Sequence, residues 1–219
     1  MSPTPEGPLS KTQLDSLGNR LRAGTADEAD LRALDEYRRS FRAAYDDVVG
    51  TVKTDVGLEG TGRPAKTTAA IVDKLRRQPI RLTQIQDSSG LRVIVDGIRE
   101  QNRIVERLQQ TFVRTSSDDR RIESSHGYRA VHVIVFIRER VVEIQVRTHE
   151  QHLWAEISEK LADIIDPKLK YGGGAEQIRR ELLNFSNFLA TVEPLEESLS
   201  ETESRLMSFA TRISNPPYP

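Results

Sequence analysis

Apolar residues along the chain change their period twice, and those changes divide it into elements. From Asp27 onward, Leu31, Leu34, Phe41, Tyr45, Val48, Val49 and Val52 recur at helical spacing with charges between them, which predicts a long amphipathic helix. Gly57, Gly60 and Gly62 break it, and Thr67 or Thr68 caps a second helix carrying Ile71, Val72 and Leu75 that Pro79 ends. The centre reads differently. Leu91-Arg-Val-Ile-Val95 is a short β-branched run after Gly90, and Ile98 to Phe112 returns to helical spacing through Val105 and Leu108. Tyr128 to Ile137 and Val141 to Val146 read as strands, and Arg138-Glu139-Arg140 is short enough to join them as an antiparallel hairpin. A helix follows over 149–165 and stops near Pro167, and Gly172-Gly173-Gly174 forms a hinge. Ile178, Leu182, Phe185, Leu189, Val192, Leu199 and Leu206 then make a helical stripe that Pro194 is expected to kink or divide. Strand, helix and hairpin together predict an α+β (α/β) fold, a mixed β-sheet with an antiparallel hairpin flanked by helices.

Composition narrows the class of protein. The chain has 219 residues and no cysteine, which excludes disulfide stapling, a thiol nucleophile and thiolate metal sites. No apolar run approaches the roughly 20 residues that span a bilayer, so a soluble cytoplasmic protein without membrane contact is expected. Residues 1–26 mix Pro, Gly, Ser and Thr with isolated leucines and read as a flexible lead-in. The net charge of −1 is a sum of unlike parts: residues 63–148 hold 17 basic and 10 acidic residues, a net of +7, between acidic flanks of −3 and −5. A basic centre suits the handling of phosphate, because local fields attract anions whatever the total charge.

The strands place their acids informatively. Asp87 lies just before the Leu91–Val95 run, and Glu143 lies inside an apolar strand. Glu143, Gln145 and Arg147 alternate with Val142, Ile144 and Val146 and so share one face. Two carboxylates from separate strands are enough for a Mg²⁺ whose other ligands are phosphate oxygens and water.

These residues belong to an ordered set: Arg63-Pro-Ala-Lys66, Lys74, Asp87-Ser-Ser-Gly90-Leu-Arg92, His126-Gly127-Tyr128-Arg-Ala-Val-His132 and Glu143-Ile-Gln145-Val-Arg147-Thr148. Over roughly residues 60–171 the set resembles the synthetase domain of the RelA/SpoT family, the alarmone synthetases. The resemblance implies a nucleotidyltransferase-like synthetase fold over 27–171, including an N-terminal helix, with a C-terminal helical region over 172–219. It also implies transfer of the β,γ-pyrophosphate of ATP to the ribose 3′-OH of a nucleotide, giving (p)ppGpp or an adenosine equivalent plus AMP. Asp87 and Glu143 then correspond to the catalytic carboxylates that hold Mg²⁺, with Glu143 placed to take the hydroxyl proton. Arg63, Lys66, Lys74, Arg92 and Arg121 correspond to ATP-binding positions. Tyr128 corresponds to the tyrosine stacked on the acceptor base, and His132, on the same strand four residues on, to a histidine near the acceptor's phosphates. Gln145 and Arg147 complete that pocket.

The chain departs from the family pattern in places. Arg63-x-x-Lys66 is one residue longer than the usual spacing, and Glu123-Ser124-Ser125-His126 replaces a run that supplies a lysine and an asparagine to the acceptor. The hairpin between His132 and Glu143 is short, and no His-Asp dipeptide exists for the hydrolase activity of bifunctional members. The acceptor therefore stays open between GDP or GTP, an adenine nucleotide and the 3′ end of tRNA. The tRNA reading belongs to toxin members paired with an antitoxin, and it draws on a strip of Arg99, Arg103, Arg107, Arg114, Arg120 and Arg121. A non-catalytic nucleotide-binding module is a third reading. Small members also form homo-oligomers, for which the stripe from Ile178 is the candidate surface.

Overall fold

The computed structural model describes residues 9–122 and 124–214. Its elements run in chain order α1 (Lys11–Ala23), α2 (Glu28–Arg39), α3 (Arg42–Thr51), β1 (Thr61–Arg63), α4 (Thr68–Arg77), β2 (Gly90–Val95), α5 (Ile98–Thr111), β3 (Thr115–Asp119), β4 (Val131–Ile137), β5 (Arg140–Thr148), α6 (His149–Ile164) and α7 (Glu176–Ser214). The strands form one mixed sheet in the order β1-β2-β5-β4-β3, the α+β architecture expected. The described chain falls into two compact units. Among the described residues the first draws on 9–93, 105–118 and 132–146, the second on 94–104, 119–122, 124–131 and 147–214.

In the first unit, residues 11–23 are not part of a flexible lead-in but form α1; residues 1–8 lie outside the described residues. A capping box starts the helix: Ser10 Oγ accepts from the Gln13 N–H at 3.3 Å, and Gln13 Oε1 from the Ser10 N–H at 2.8 Å. Leu14, Leu17 and Leu21 then bury one face against Leu34, Ile71, Leu75, Leu82 and Ile85. The single helix expected from Asp27 is two, because Ser40 Oγ donates to the Tyr37 carbonyl at 2.6 Å and ends α2. Phe41, buried at that break, stands edge-on to Tyr37 with ring centroids 5.1 Å apart. The hairpin between β4 and β5 turns on Arg138 and Glu139, whose φ values of 49° and 57° are those of a two-residue type I′ turn.

The second unit packs around Trp154, Ala155 and Leu182, with Tyr128, Leu161, Ile178, Phe185 and Leu189 at the margin. Thr148 caps α6 through a capping box with Gln151. Helix α7 is continuous over 39 residues through Pro194, where a kink or division was expected. The missing N–H there forfeits one rung to the Ala190 carbonyl without ending the element. No helix among the described residues is long and apolar enough to cross a membrane.

Candidate active site

In the first unit the sheet gathers three expected residues on one face. β1 and β2 pair antiparallel with Thr61 opposite Arg92 and Arg63 opposite Gly90. Opposed residues share a face, and so do alternate residues along a strand, which puts Arg63 and Arg92 on the same side. Glu143 of β5 joins them. Its N–H donates to the Ser89 carbonyl at 3.0 Å, and a Cβ on Gly90 would stand 4.0 Å from the Glu143 Cβ.

A cluster of opposite charges forms beside this face. The Lys66 N–H donates to the Ser88 carbonyl at 2.7 Å, which sets Lys66 next to Asp87. Lys66 Nζ pairs with Asp87 Oδ2, and Lys74 Nζ, brought in by α4, donates to Oδ1 at 2.8 Å. Burial alone would raise the Asp87 carboxyl, but the Lys66 and Lys74 ammonium groups outweigh it and hold it at about 2. Burial lowers the Lys66 ammonium, and the positive Lys74 and Arg63 add to that, against the pull of Asp87. Two ammonium groups on one carboxylate, with the Arg63 charge acting on Lys66, leave this corner with excess positive charge, a place where a polyphosphate would be attracted.

Glu143 is 5% exposed and has a polar neighbour at each carboxylate oxygen. Oε1 lies 2.9 Å from His132 Nδ1, and Oε2 accepts from Gln145 Nε2 at 2.7 Å. Burial pushes its carboxyl up, but the bond and charge of His132, with Gln145, prevail and lower it, while the nearby Asp87 works the other way. The carboxylate is thus ionised at neutral pH and already oriented. Among the described residues no group of three or more His, Cys, Asp or Glu gathers as a metal site. Asp87 and Glu143 are two oxygen donors close enough to feel each other's charge, and a hard cation there would complete its shell with phosphate and water.

Tyr128 is placed differently from expectation. β4 begins only at Val131, so Tyr128 is not on a strand with His132; it closes a turn bridged to Ser125. Within the second unit its hydroxyl accepts from Arg147 Nη2 at 3.0 Å, and the Arg147 guanidinium lies 4.9 Å from the ring centroid. Arg121, expected at the ATP phosphates, contacts protein acceptors in this structure. It forks onto Asp119, with Nε 2.9 Å from Oδ1, and gives Nη1 to Asn102 Oδ1 at 2.7 Å. The arginine strip is likewise engaged: Arg99 pairs with Glu201 at 2.6 Å, Arg103 with Glu100 at 2.7 Å, and Arg107 donates to the Asp55 carbonyl.

The residues that hold the Tyr128 turn went unread in the sequence. They are Trp154, Ser186 and Asn187, together with Arg129. Ser186 sits four residues after Leu182 on the apolar stripe, and a polar side chain at a core-facing position was the available signal.

Residues 62–162 match the family model described as the region found in RelA / SpoT proteins. Over 118 residues the chain is 37% identical to the uncharacterized protein Rv1366 of Mycobacterium tuberculosis, covering 52% of this chain and 43% of that protein. The chain thus spans under half the length of these mycobacterial relatives. It is 31% identical over 169 residues to the GTP pyrophosphokinase YjbM of Bacillus subtilis, covering 70% of this chain and 75% of that one. The crystal structure of small alarmone synthetase 1 from Bacillus subtilis with its product pppGpp has the same fold. Its TM-score is 0.62 at 22% identity, over 81% of this chain and 99% of that one. The motif run, the fold and the relative matched over three quarters of its length agree: the chain belongs to the RelA/SpoT family of synthetase domains.

Proposed function

We propose that the protein transfers the β,γ-pyrophosphate of ATP to the ribose 3′-OH of a guanine nucleotide, releasing AMP. The observation that carries this reading is the first unit's pairing of a cation-rich corner with a buried, ionised Glu143 that His132 approaches at one oxygen and Gln145 bonds at the other. Lys66, Lys74 and Arg63 bind the triphosphate; each ammonium has three donors, so contact with Asp87 exhausts neither lysine. Arg92, on the face of Arg63, stacks on or brackets the adenine. Glu143 accepts the 3′-OH proton as that oxygen bonds to the β-phosphorus and the bond from the β-phosphorus to the α-bridging oxygen breaks. His132 and Gln145 hold the carboxylate in line for the transfer. Tyr128, backed by Arg147, offers a flat face to the acceptor base. Asp87 and Glu143 would hold Mg²⁺, whose charge would help neutralise the transferred group. Catalysis rests on positioning and charge, without a covalent enzyme intermediate.

Guanine acceptors are favoured by the relative named a GTP pyrophosphokinase. The test is incubation with γ-labelled ATP, Mg²⁺ and GDP, GTP, AMP, ATP or uncharged tRNA in parallel. Label should move to GDP or GTP with one AMP formed per transfer. Label on tRNA or on adenine nucleotides would overturn the acceptor, and nucleotide binding without transfer would leave only a binding module.

A further inference from the structure

The turn that presents Tyr128 is not held by its own backbone preference. His126 has φ of 55°, a conformation that costs a β-carbon residue energy, and Gly127 follows at 93°. What holds them comes from farther along the chain within the second unit. A Cβ on Gly127 would meet Trp154 Cζ2 at 2.6 Å and Ser186 Cβ at 3.2 Å, so the backbone lies directly on these side chains. The His126 ring fills a notch that exists because residue 172 is glycine at φ 75°, where a Cβ would come within 2.2 Å of the imidazole.

Ser186 of α7 is the centre of the attachment. It is 2% exposed, donates to the Gly127 carbonyl at 2.6 Å, and accepts from Arg129 Nε at 3.1 Å. Arg129 also gives Nη2 to Asn187 Oδ1 at 2.9 Å and Nη1 to the Arg121 carbonyl. One serine thus clamps the residues on both sides of Tyr128. We infer that Ser186, with Asn187 and Arg129, is a positioning residue for acceptor recognition, so that α7, which begins beyond the family-matched residues 62–162, takes part in the reaction through Tyr128. The inference rests on the proposed stacking of Tyr128 on the acceptor base.

Steady-state kinetics of Ser186→Ala, Tyr128→Ala and the double variant test it. Ser186→Ala should raise the acceptor KM about tenfold and leave the ATP KM within about twofold. In the Tyr128→Ala background the same change should add less than about twofold, because the group it positions is gone. A fall in kcat with both KM values unchanged is what a merely structural serine gives, and it overturns the proposal. An equal increment in both backgrounds does so too. Amide exchange at Gly127, Tyr128 and Arg129 separates this idea from the stacking it rests on. Ser186→Ala should speed exchange there about tenfold whatever Tyr128 binds, and unchanged protection overturns the anchoring itself. Tyr128→Ala with an unchanged acceptor KM sinks the stacking, and with it the role in acceptor recognition. Should Ser186→Ala fail to fold, Asn187→Ala removes one exposed partner of Arg129 and should shift the acceptor KM in the same direction, by about threefold; no shift overturns the proposal.

Discussion

Asp87 carries two opposed demands, since burial disfavours its charge while two ammonium groups require it. Its folded-state value of about 2, against an ordinary 3.8, contributes about 2 kcal/mol of stability at neutral pH. A lowered carboxyl stabilises above its unfolded value, and that share is lost as pH falls from near 4 toward 2. Asp87→Asn should therefore destabilise the protein by about 2–3 kcal/mol at pH 7, less than a fully buried broken pair, because water still reaches the cluster. Below pH 2 the two proteins should converge. Denaturant titrations at pH 7, 4 and 2 check this, and an unchanged gap at pH 2 refutes it. Glu143 answers to a different measurement. Glu143→Gln keeps the shape and an acceptor oxygen but removes the proton acceptor, so kcat should fall about 10²–10⁴-fold with nucleotide binding retained. A loss confined to KM would assign the residue to binding instead.

At the scale of elements, the β4–β5 hairpin stores strain at a known place. Glu139 sits at φ 57°, where a residue with a β-carbon is worse than glycine by roughly 1–2 kcal/mol, partly offset by the freedom glycine has when unfolded. Glu139→Gly should raise stability by about 0.5–1 kcal/mol, read as a higher denaturant midpoint at constant slope; a lower midpoint would mean Glu139 makes a contact worth more than the strain. The hairpin itself was legible, because two apolar runs flanked a link too short for anything else. Helices α4, α5 and α6 were legible for the same kind of reason. Helix α1 was obscured by the Pro, Gly and Ser around it, although Ser10 followed by Gln13 is a capping box readable in the sequence. Strand β3 could not be read, since Thr-Ser-Ser-Asp-Asp has no apolar alternation and is a strand only because β4 pairs with it. The site divides similarly. Asp87, Glu143 and the two lysines follow from motif and strand parity. The Tyr128 turn does not, because its geometry depends on Trp154 and Ser186, contacts that no local pattern encodes.

For the molecule as a whole, the near-neutral total conceals a division of labour among its charges. The flanking segments, net −3 and −5, are more than solvated faces. Within the first unit Asp47 pairs with Arg138, and within the second Glu201 pairs with Arg99, both arginines remaining largely exposed. Lys66 and Lys74 share one carboxylate, with Arg63 near enough to act on Lys66, and the three keep their excess. The two groups of charges should respond differently to salt. Exposed ion pairs each contribute about 0–1 kcal/mol, so screening them should move the melting temperature little. Attraction of a triphosphate to a concentrated positive corner acts over a Debye length, about 10 Å at 0.1 M salt and 3 Å at 1 M. Raising NaCl from 0.05 to 0.5 M should therefore raise the ATP KM about fivefold while the melting temperature shifts by only a few degrees. Lys74→Ala should flatten that dependence as well as raise the KM, because it removes one source of the field. An ATP KM indifferent to salt, in a protein whose melting temperature falls steeply, would place the electrostatics in the scaffold rather than in nucleotide capture.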